Sequence, residues 1–543
     1  MQGTLASLMD RCVNGTSHAA YYKNFTARAK DILRRQSVRP GALFDHRGAA
    51  IPQMLNQVNQ TPNLFTLITE GIQPGKYSDT SGFVIRVTEG ANEWLRTSSD
   101  PTRPVIQLNT LPLIGEMRER ILGGEIITDR MLGGMGERLG LPTGMSKFEV
   151  TPRELASAYK EYVTILLPKE LSELKANNAP LEDIANKEQA LKEAVEELPK
   201  TIALAEKLPD YSLGVRHMLG YAFGIHSMAG QQWQQALNRQ KTFIITSQRA
   251  LKIMRETFES WEKFGLDPAN VYFMISEEYK GLTINPEGEL AIGQGDLVHN
   301  HGVARQQTIM DEVWFNLERP SERIPAENIR KLFEDAANLQ SLNIEDVSYL
   351  TGAVDPFALM IAIGLATPEY ANFGMTMDMV AQKSAPEKPQ KGGVFAFDPH
   401  FYGSGQGRLT MREAFSTAPR FHHHDKSIAE KLHAGIRWLN LNNNSYPNPR
   451  LMSAHLTETG LPVYFEGKAS GIRNECPQGD LSYFLPTIFD ARIEKKGEIE
   501  TPVVIKNLKD RADIPKALRA MLAQDQMPGF RDFAMNFDPA RRQ

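Results

Sequence analysis

Strand-type and helix-type patterns alternate in the middle of the chain. Residues 241–247, KTFIITS, form an apolar, β-branched run that predicts a strand. Residues 248–265 have the apolar spacing of an amphipathic helix that ends at Gly265, and residues 270–276, NVYFMIS, predict a second strand. A strand, a helix and a strand in this order form a βαβ unit, which requires a mostly parallel sheet.

A long helical pattern precedes this unit. Thr151 has the features of an N-cap, because Pro152 and Glu154 follow it. Further along, apolar residues recur at the spacing of one helix face: Ile184, Leu191, Val195, Leu198 and Ile202. We interpret residues 151–212 as a helical insertion packed on the main domain, and an arm that recognises a partner is the alternative.

The remaining segments divide the chain into three parts. Residues 1–115 predict a mixed, mainly helical region, with a helical start at Tyr21–Arg35 and a strand at Phe83–Val87, to which no chemistry is assigned. Residues 116–400 form the principal α/β domain, and residues 401–543 supply the remainder of the sheet and a C-terminal region.

Charge and cysteine content narrow the class of protein. The 61 Lys and Arg residues nearly balance the 65 Asp and Glu residues, so we expect no nucleic-acid partner. Cys12 and Cys476 are too few for a disulfide framework and fit no metal motif, which favours a reducing, cytoplasmic location. We expect no membrane span and no secretory signal, although an export signal of another type stays open.

A glycine-rich loop follows a predicted strand, EIITDRML, in the sequence 131–140, MLGGMGERLG. Gly133, Gly134 and Gly136 permit positive φ angles and allow backbone N–H groups to converge on phosphate oxygens. Arg138 adds a guanidinium suited to phosphate. The loop alone is equally compatible with an anion-binding site and with an ordinary turn.

The loop resembles the L-x-G-G-x-G-T-R-L-G signature of sugar-nucleotide pyrophosphorylases. Other segments resemble, in order, the UTP:sugar-1-phosphate uridylyltransferases that make UDP-glucose and UDP-N-acetylhexosamines, and the chain looks like a divergent member of that family. These segments are the strand–helix–strand unit, AIGQGDLVHNHG at 291–302, AVDPFALMIAIG at 353–364, GMTMDMVAQK at 374–383 and TPVVIKN at 501–507.

This resemblance implies a GT-A-like, Rossmann-type, mostly parallel mixed sheet flanked by helices, with a helical insertion and a β-rich C-terminal portion. It also implies a nucleotidyltransferase that converts UTP and a sugar 1-phosphate into a UDP-sugar and pyrophosphate, with Mg²⁺ as cofactor. By the resemblance, residues 116–400 would be the catalytic domain.

The resemblance also implies roles for individual residues. The nucleotide phosphates would be held by the glycine loop, which comprises Leu132, Gly133, Gly134, Gly136 and Arg138. Lys383 and Lys506 would meet the phosphates of the two substrates, and Asp296 would hold the metal ion or contact the sugar. The uracil or the sugar would be contacted by Gly295, Thr246, Ser247, Gln294 and His299.

The chain departs from the family pattern at several of these positions. Met145 occupies the place of the family's phosphate-binding lysine, and Lys147 lies two residues further on. Glu137 replaces a small hydroxyl residue, Gln294 replaces a histidine and Ala291 replaces a proline.

Several functions are therefore open. One alternative is an active uridylyltransferase in which Lys147 replaces the missing lysine. A second is an enzyme with a changed donor or acceptor, and a third is a non-catalytic sensor or scaffold that binds nucleotide sugars. The scaffold would bind a protein partner through the N-terminal region or the helical insertion. A glycosyltransferase that uses a UDP-sugar on the same fold is a further alternative.

Two histidine-rich segments have simpler interpretations. His422, His423 and His424 precede Asp425, but consecutive residues cannot all point at one ion, so a polar loop is favoured over a metal site. His299 and His301 follow Asp296 closely, and a structural histidine is favoured over a substrate contact at either position.

Overall fold

The computed structural model describes the chain in ranges separated by gaps, and in many strands it describes the backbone. The described residues are 40–44, 66–67, 84–89, 92–98, 118–132, 139, 141, 145–275, 279–284, 290–298, 305, 308–309, 314–343, 373–384, 394–398, 408–412, 435–458, 461–468, 471–475, 481–482, 485–494, 505 and 508–541.

Eighteen strands lie in these ranges. They are β1 (Pro40–Phe44), β2 (Thr66–Leu67), β3 (Val84–Glu89), β4 (Asn92–Ser98), β5 (Ile126–Met131), β6 (Lys241–Thr246), β7 (Val271–Ile275), β8 (Tyr279–Ile284), β9 (Leu290–Val298), β10 (Trp314–Asn316), β11 (Asn338–Asn343), β12 (Met375–Ser384), β13 (Val394–Asp398), β14 (Arg408–Arg412), β15 (Gly435–Tyr446), β16 (Leu461–Lys468), β17 (Gly471–Glu475) and β18 (Thr487–Glu494).

Ten α-helices have both ends within the described residues. They are α1 (Pro152–Glu161), α2 (Leu167–Ala176), α3 (Leu181–Lys207), α4 (Leu213–Ala229), α5 (Trp233–Arg239), α6 (Gln248–Ser260), α7 (Ala326–Asp335), α8 (Pro449–Glu458), α9 (Ile514–Asp525) and α10 (Phe530–Met535). None of the described helices is long and apolar enough to cross a bilayer.

The larger sheet is mixed, with parallel strands at its centre. Its main order is β10-β7-β6-β5-β11-β15-β12-β18-β4-β3, and β13 joins it beside β15. β7, β6, β5 and β11 are parallel neighbours, as are β12 and β18, whereas β15 is antiparallel to both of its neighbours in this order. The predicted α/β class, with a mixed sheet flanked by helices, is confirmed.

Strands from the first hundred residues pair with strands from near the end of the chain. β1 is parallel to β16 in a five-stranded sheet with the order β1-β16-β17-β8-β9. β4 is antiparallel to β18 in the larger sheet. The described part of residues 1–115 therefore contributes strands to both sheets.

The predicted βαβ unit is present. β6 and β7 are parallel, and Thr242 pairs with Val271. The connecting helix α6 buries Met254 and Phe258 against the sheet, where the Phe258 ring meets the edge of Phe273. The helix ends at Ser260, and a short 3-10 turn carries the chain to the predicted end at Gly265.

The helical insertion begins as predicted. Thr151 caps α1 and forms a reciprocal capping box with Glu154, whose Oε2 accepts a hydrogen bond from the Thr151 N–H at 2.7 Å. Between α1 and α2 the helix widens into a π-turn at Tyr162–Leu166. Pro168 explains the widening, because it has no N–H for the carbonyl of Thr164 and its ring would clash there in a regular helix.

The apolar stripe predicted for α3 is wrong at one position. Val195 is 52% exposed, whereas Ala194, Thr201 and Ala205 are buried. The buried face is therefore rotated by about one residue from the predicted one. Small side chains on this face allow α3 to pack closely against α1, and a count of large apolar residues alone misses them.

The C-terminal helices pack on α4. Arg216 of α4 forms a fully buried, bidentate ion pair with Asp525 of α9, with Nη1–Oδ1 and Nη2–Oδ2 distances of 2.9 and 3.1 Å. Phe530 and Phe533 of α10 contact Phe223 of α4. α4 is thereby held between the sheet and the end of the chain.

Candidate functional site

The strand order places a ligand crevice beside β5. Strands β7, β6, β5 and β11 follow one another across the sheet, so the chain passes from β5 to β6 and β7 on one side and later returns to β11 on the other side of β5. In parallel sheets a ligand binds where the order reverses, at the carboxyl ends of the strands. For this chain that place lies at Met131 and Asn343, which pair at the ends of β5 and β11.

The glycine loop begins at this edge. The Leu132 N–H donates to the Ile245 carbonyl at 2.8 Å, so pairing with β6 continues to the last residue before the loop. The Leu132 side chain is buried in the core and fixes the base of the loop. Gly133, Gly134, Gly136 and Arg138 lie outside the described residues, and their phosphate contacts stay a prediction.

The far end of the loop meets a segment from the C-terminus. The Arg511 Nε donates to the Leu139 carbonyl at 2.7 Å, although the two residues are 372 positions apart. Arg511 Nη1 lies 3.1 Å from Glu161 Oε2, at the end of α1. Lys506 lies outside the described residues, but it is five positions before Arg511 in the sequence. The contact therefore places Leu139, directly after the glycine loop in the sequence, against Arg511, five positions after Lys506.

The Gly-Gln-Gly-Asp segment is a bulge in the smaller sheet. Lys280 of β8 pairs with Leu297 of β9, and Leu282 pairs with Ile292. The four residues 293–296, which include Gln294, Gly295 and Asp296, therefore stand opposite the single residue at position 281. Bulges of this kind redirect side chains and are common beside active sites. His299 lies outside the described residues.

Thr246 and Ser247 lie at the carboxyl end of β6, as predicted. The Ser247 Oγ accepts a hydrogen bond from the Ala250 N–H and caps α6, so this side chain has a structural role. The Thr246 hydroxyl is buried and has no hydrogen-bond partner. A buried hydroxyl without a partner at the end of a strand is available to a ligand or a water molecule.

Lys383 lies within the larger sheet, where it pairs with Ile436 of β15, beyond the level at which β5 and β11 end. Ser341 of β11 and Met377 of β12 both pair with Asn444 of β15, so the three residues share one level of the sheet. β12 runs parallel to β11 and reaches Lys383 six residues later, about 20 Å further along the strand. Three residues of the Asn-rich stretch, 441–443, bulge from β15 opposite position 378, near the level at which β11 ends.

Lys147 and Met145 are both directed into the protein. Lys147 is 3% exposed and begins a 3-10 turn, Lys147–Glu149, in which Glu149 Oε2 accepts a hydrogen bond from the Ser146 N–H at 2.8 Å. Met145 is partly buried against the hydrophobic core. The turn is held by Phe148, which lies so close to Gly214 that a Cβ atom there would be 2.1 Å from the ring.

The sequence interpretation missed two buried arginines next to the loop. Arg305 pairs with Asp129 of β5 and donates to Ser341 Oγ at 3.1 Å. Arg130 of β5 donates to Thr128 Oγ1 and lies 4.5 Å from the ring centre of Tyr221. The signal was an Asp-Arg pair within the otherwise apolar strand IITDRM.

The surroundings of the two guanidinium groups differ. Burial lowers the pKa of Arg130 and outweighs the opposing effects of Tyr221 and Asp129, and its Nε and Nη2 have no hydrogen-bond partner. Burial alone would also lower the pKa of Arg305, but Asp129 and Tyr446 outweigh burial and raise it. A buried charge with incomplete pairing is costly to stability, so Arg130 adds positive potential near the base of the loop at a cost in folding free energy.

Comparisons with known proteins give a resemblance of fold. No protein-family model matches the chain, and no curated protein does. A solved UDP-N-acetylglucosamine pyrophosphorylase from Trypanosoma brucei, in complex with an inhibitor, is 16% identical over 75% of this chain and 67% of that chain, with a TM-score of 0.46. A UDP-glucose pyrophosphorylase from Leishmania major, described in open and closed structures, is 11% identical over 74% of this chain and 65% of that chain, with a TM-score of 0.36.

Proposed function

We propose that the protein is a nucleotidyltransferase that transfers uridylyl from UTP to a sugar 1-phosphate and releases pyrophosphate. The observation that carries the proposal is the hydrogen bond from Arg511 to the Leu139 carbonyl. It supports a shared site for the glycine loop and the Lys506 segment, the two parts of the chain that the sequence assigns to phosphate binding. The loop also starts at the edge where an α/β sheet of this order binds ligands.

The chemistry requires alignment and positive charge. A phosphate oxygen of the sugar phosphate attacks the α-phosphorus of UTP, and the bond to the pyrophosphate oxygen breaks. Such transfers depend mainly on positioning and on cations that neutralise the phosphates. Backbone N–H groups at Gly133, Gly134 and Gly136, together with Arg138 and Lys506, would supply these contacts.

The remaining residues would complete the site. Lys383 would meet the phosphate of one substrate, while Gln294, Gly295 and His299 would contact the sugar or the base. Thr246 offers a hydroxyl without a partner at the same edge as the glycine loop.

Mg²⁺ is part of the proposal. No cluster of three or more potential ligands was found among the described His, Cys, Asp and Glu residues. Mg²⁺ in phosphate-transfer sites needs only one or two protein carboxylates, because phosphate oxygens and water complete its octahedron. Asp296, in the β9 bulge, fits that requirement and would hold the ion, which would neutralise charge on the phosphates.

A second candidate is a non-catalytic protein that binds nucleotide sugars. The position of the family's phosphate-binding lysine holds Met145, which packs on the core, and the neighbouring Lys147 is almost fully buried. If neither residue reaches the nucleotide, one phosphate contact of the transition state is missing. Binding would then survive with little or no turnover.

The test is pyrophosphate release from UTP with a panel of sugar 1-phosphates in the presence of Mg²⁺. We expect turnover with at least one sugar and a lower rate with CTP, ATP or GTP. Thermal shift with UDP-sugars is measured in parallel. Binding without pyrophosphate release would favour the non-catalytic protein, and release of UDP from a UDP-sugar in the presence of an acceptor would favour a glycosyltransferase.

A further inference from the structure

Arg511 connects three segments that are far apart in the sequence. Its side chain is 1% exposed, its Nε donates to the Leu139 carbonyl, and its Nη1 lies 3.1 Å from the Glu161 carboxylate. Leu139 is buried at the end of the glycine loop, and Glu161 is the last residue of α1. One guanidinium therefore joins the loop, the helical insertion and the C-terminal segment.

The hydrogen bond from Arg511 to Leu139 joins the residue after the glycine loop to the helix after Lys506. Six residues, 133–138, lie between the Leu132 N–H that is bound to β6 and the Leu139 carbonyl that is bound to Arg511. On the other side, Lys506 lies between the buried Ile505 and the 3-10 helix Leu508–Asp513 that carries Arg511.

The chemistry of arginine suits this role. A guanidinium has several donors in a rigid plane, so it can bind a carbonyl on one edge and a carboxylate on another. Hydrogen bonds from a charged donor are stronger than those between neutral groups. The Glu161 side chain is 47% exposed, whereas the Arg511 side chain is 1% exposed. Solvent therefore reaches the orienting carboxylate but not the hydrogen bond from Arg511 to Leu139.

We propose that Arg511 is a positioning residue that joins Leu139, at the end of the glycine loop, to the 3-10 helix that follows Lys506 in the sequence. Glu161 orients its guanidinium, so the helical insertion takes part in shaping the site. In this role Arg511 acts on the site through the two segments that it joins. The identity of the ligand rests on the proposed function, whereas the coupling of the loops does not.

Hydrogen–deuterium exchange tests the coupling without a ligand. The variants are Arg511→Gln, Arg511→Lys and Glu161→Gln. We expect Arg511→Gln to raise amide exchange at least tenfold in peptides covering 131–146 and 500–508, while peptides covering 241–275 keep wild-type exchange. Arg511→Lys should give a smaller increase, since an ammonium group lacks the planar fork.

Arg519→Gln is the matched control. Arg519 also lies in the C-terminal segment and pairs with a glutamate of the helical insertion, Glu197, at 2.8 Å, but its side chain is 55% exposed, whereas that of Arg511 is buried. We expect wild-type exchange in both loops. Unchanged exchange in Arg511→Gln, or an equal rise in all peptides, would overturn the proposal. If Arg511→Gln does not fold, Arg511→Lys and Glu161→Gln decide the question by the same criterion.

UTP binding, measured by calorimetry, tests the consequence for the ligand. We expect Arg511→Gln to weaken UTP binding at least tenfold and to raise the KM for UTP more than the KM for the sugar phosphate. Equal affinity in Arg511→Gln and wild type would overturn the role in the site. If wild-type protein neither binds nor turns over UTP, the proposed function fails, and the exchange experiment still decides whether Arg511 couples the two loops.

Discussion

Arg305 and Asp129 form an ion pair in which both side chains are completely shielded from solvent. Asp129 belongs to the central strand β5, and Arg305 follows β9, the strand that carries Asp296. The pair therefore connects the strand that leads into the glycine loop with the segment that follows the Gly-Gln-Gly-Asp bulge.

Removing one partner of this pair should destabilise the fold strongly. Arg305→Met and Asp129→Asn each leave one buried charge without its counter-charge, and we expect each to lower the unfolding free energy by about 3–5 kcal/mol. The double variant should lose less than the sum of the two. Urea unfolding measures all three, and Lys252→Met, in an exposed pair with Glu256, is the control. Strictly additive losses would contradict the coupling.

Lys506→Ala should lower turnover at least tenfold and leave the unfolding midpoint unchanged. The physical reason is the loss of a charge contact to the transition state, worth about 1.4 kcal/mol or more. Initial rates of pyrophosphate release are the measurement. Lys516→Ala serves as control, because Lys516 is exposed and pairs with Asp513. Equal rates in both variants would remove Lys506 from the site.

Asp296→Ala should also lower turnover at least tenfold, with a higher Mg²⁺ concentration needed for half-maximal activity. A carboxylate that holds the ion is lost, while the backbone of the bulge is retained. A Mg²⁺ titration of the initial rate checks this expectation. Asp532→Ala, on α10 and away from the bulge, is the control. An unaltered Mg²⁺ dependence would show that another group binds the metal.

His226 should make stability depend on pH. Its ring packs against Trp233 and Phe533, and burial lowers its pKa. Below about pH 6.5 the unfolded chain binds the proton first, so the unfolding free energy falls as the pH drops towards the lower folded-state pKa. Above pH 6.5 the contribution is fully present. Urea midpoints at pH 7.5 and 5.5 should differ less for His226→Phe than for wild type, and an identical difference would refute the prediction.

Gly214→Ala should destabilise the protein by about 1–3 kcal/mol or more, because the added Cβ would lie 2.1 Å from the Phe148 ring. Thermal unfolding measures the loss. Gly123→Ala is the control, since its Cβ would meet only the end of the Glu125 side chain at 3.5 Å. Adding Phe148→Leu to Gly214→Ala should restore part of the stability. Without any recovery, the steric explanation would be incorrect.

Local patterns in the sequence predicted local structure well. The KTFIITS strand, the helix that follows it and the capping box at Thr151 depend on residues close together in the chain, so their periodicity and spacing are sufficient. The strand at β11, NLQSLN, is rich in amides and hydroxyls and has no such pattern. Its place beside β5, which creates the crevice, depends on tertiary pairing that local propensity does not encode.

The candidate site was predictable only in part for the same reason. The glycine loop is visible as a motif, but the bond from Arg511 to Leu139 joins residues 372 positions apart, and no local feature of either segment predicts it. Lys147 shows the same limit, because tertiary packing also determines its surroundings. A sequence shift of two residues left Lys147 as a possible replacement, and its near-complete burial follows from the packing of Phe148 against Gly214.

The pairing of β4 with β18 has a consequence for biosynthesis. Residues 92–98 leave the ribosome long before residues 487–494, so this edge of the larger sheet must wait for nearly the whole chain. At about 5–20 residues per second, the delay is roughly 20–80 seconds. During that time β4 has no native partner on that side. Nascent chains should therefore need protection from aggregation until translation is almost finished, and truncation before residue 487 should yield insoluble protein.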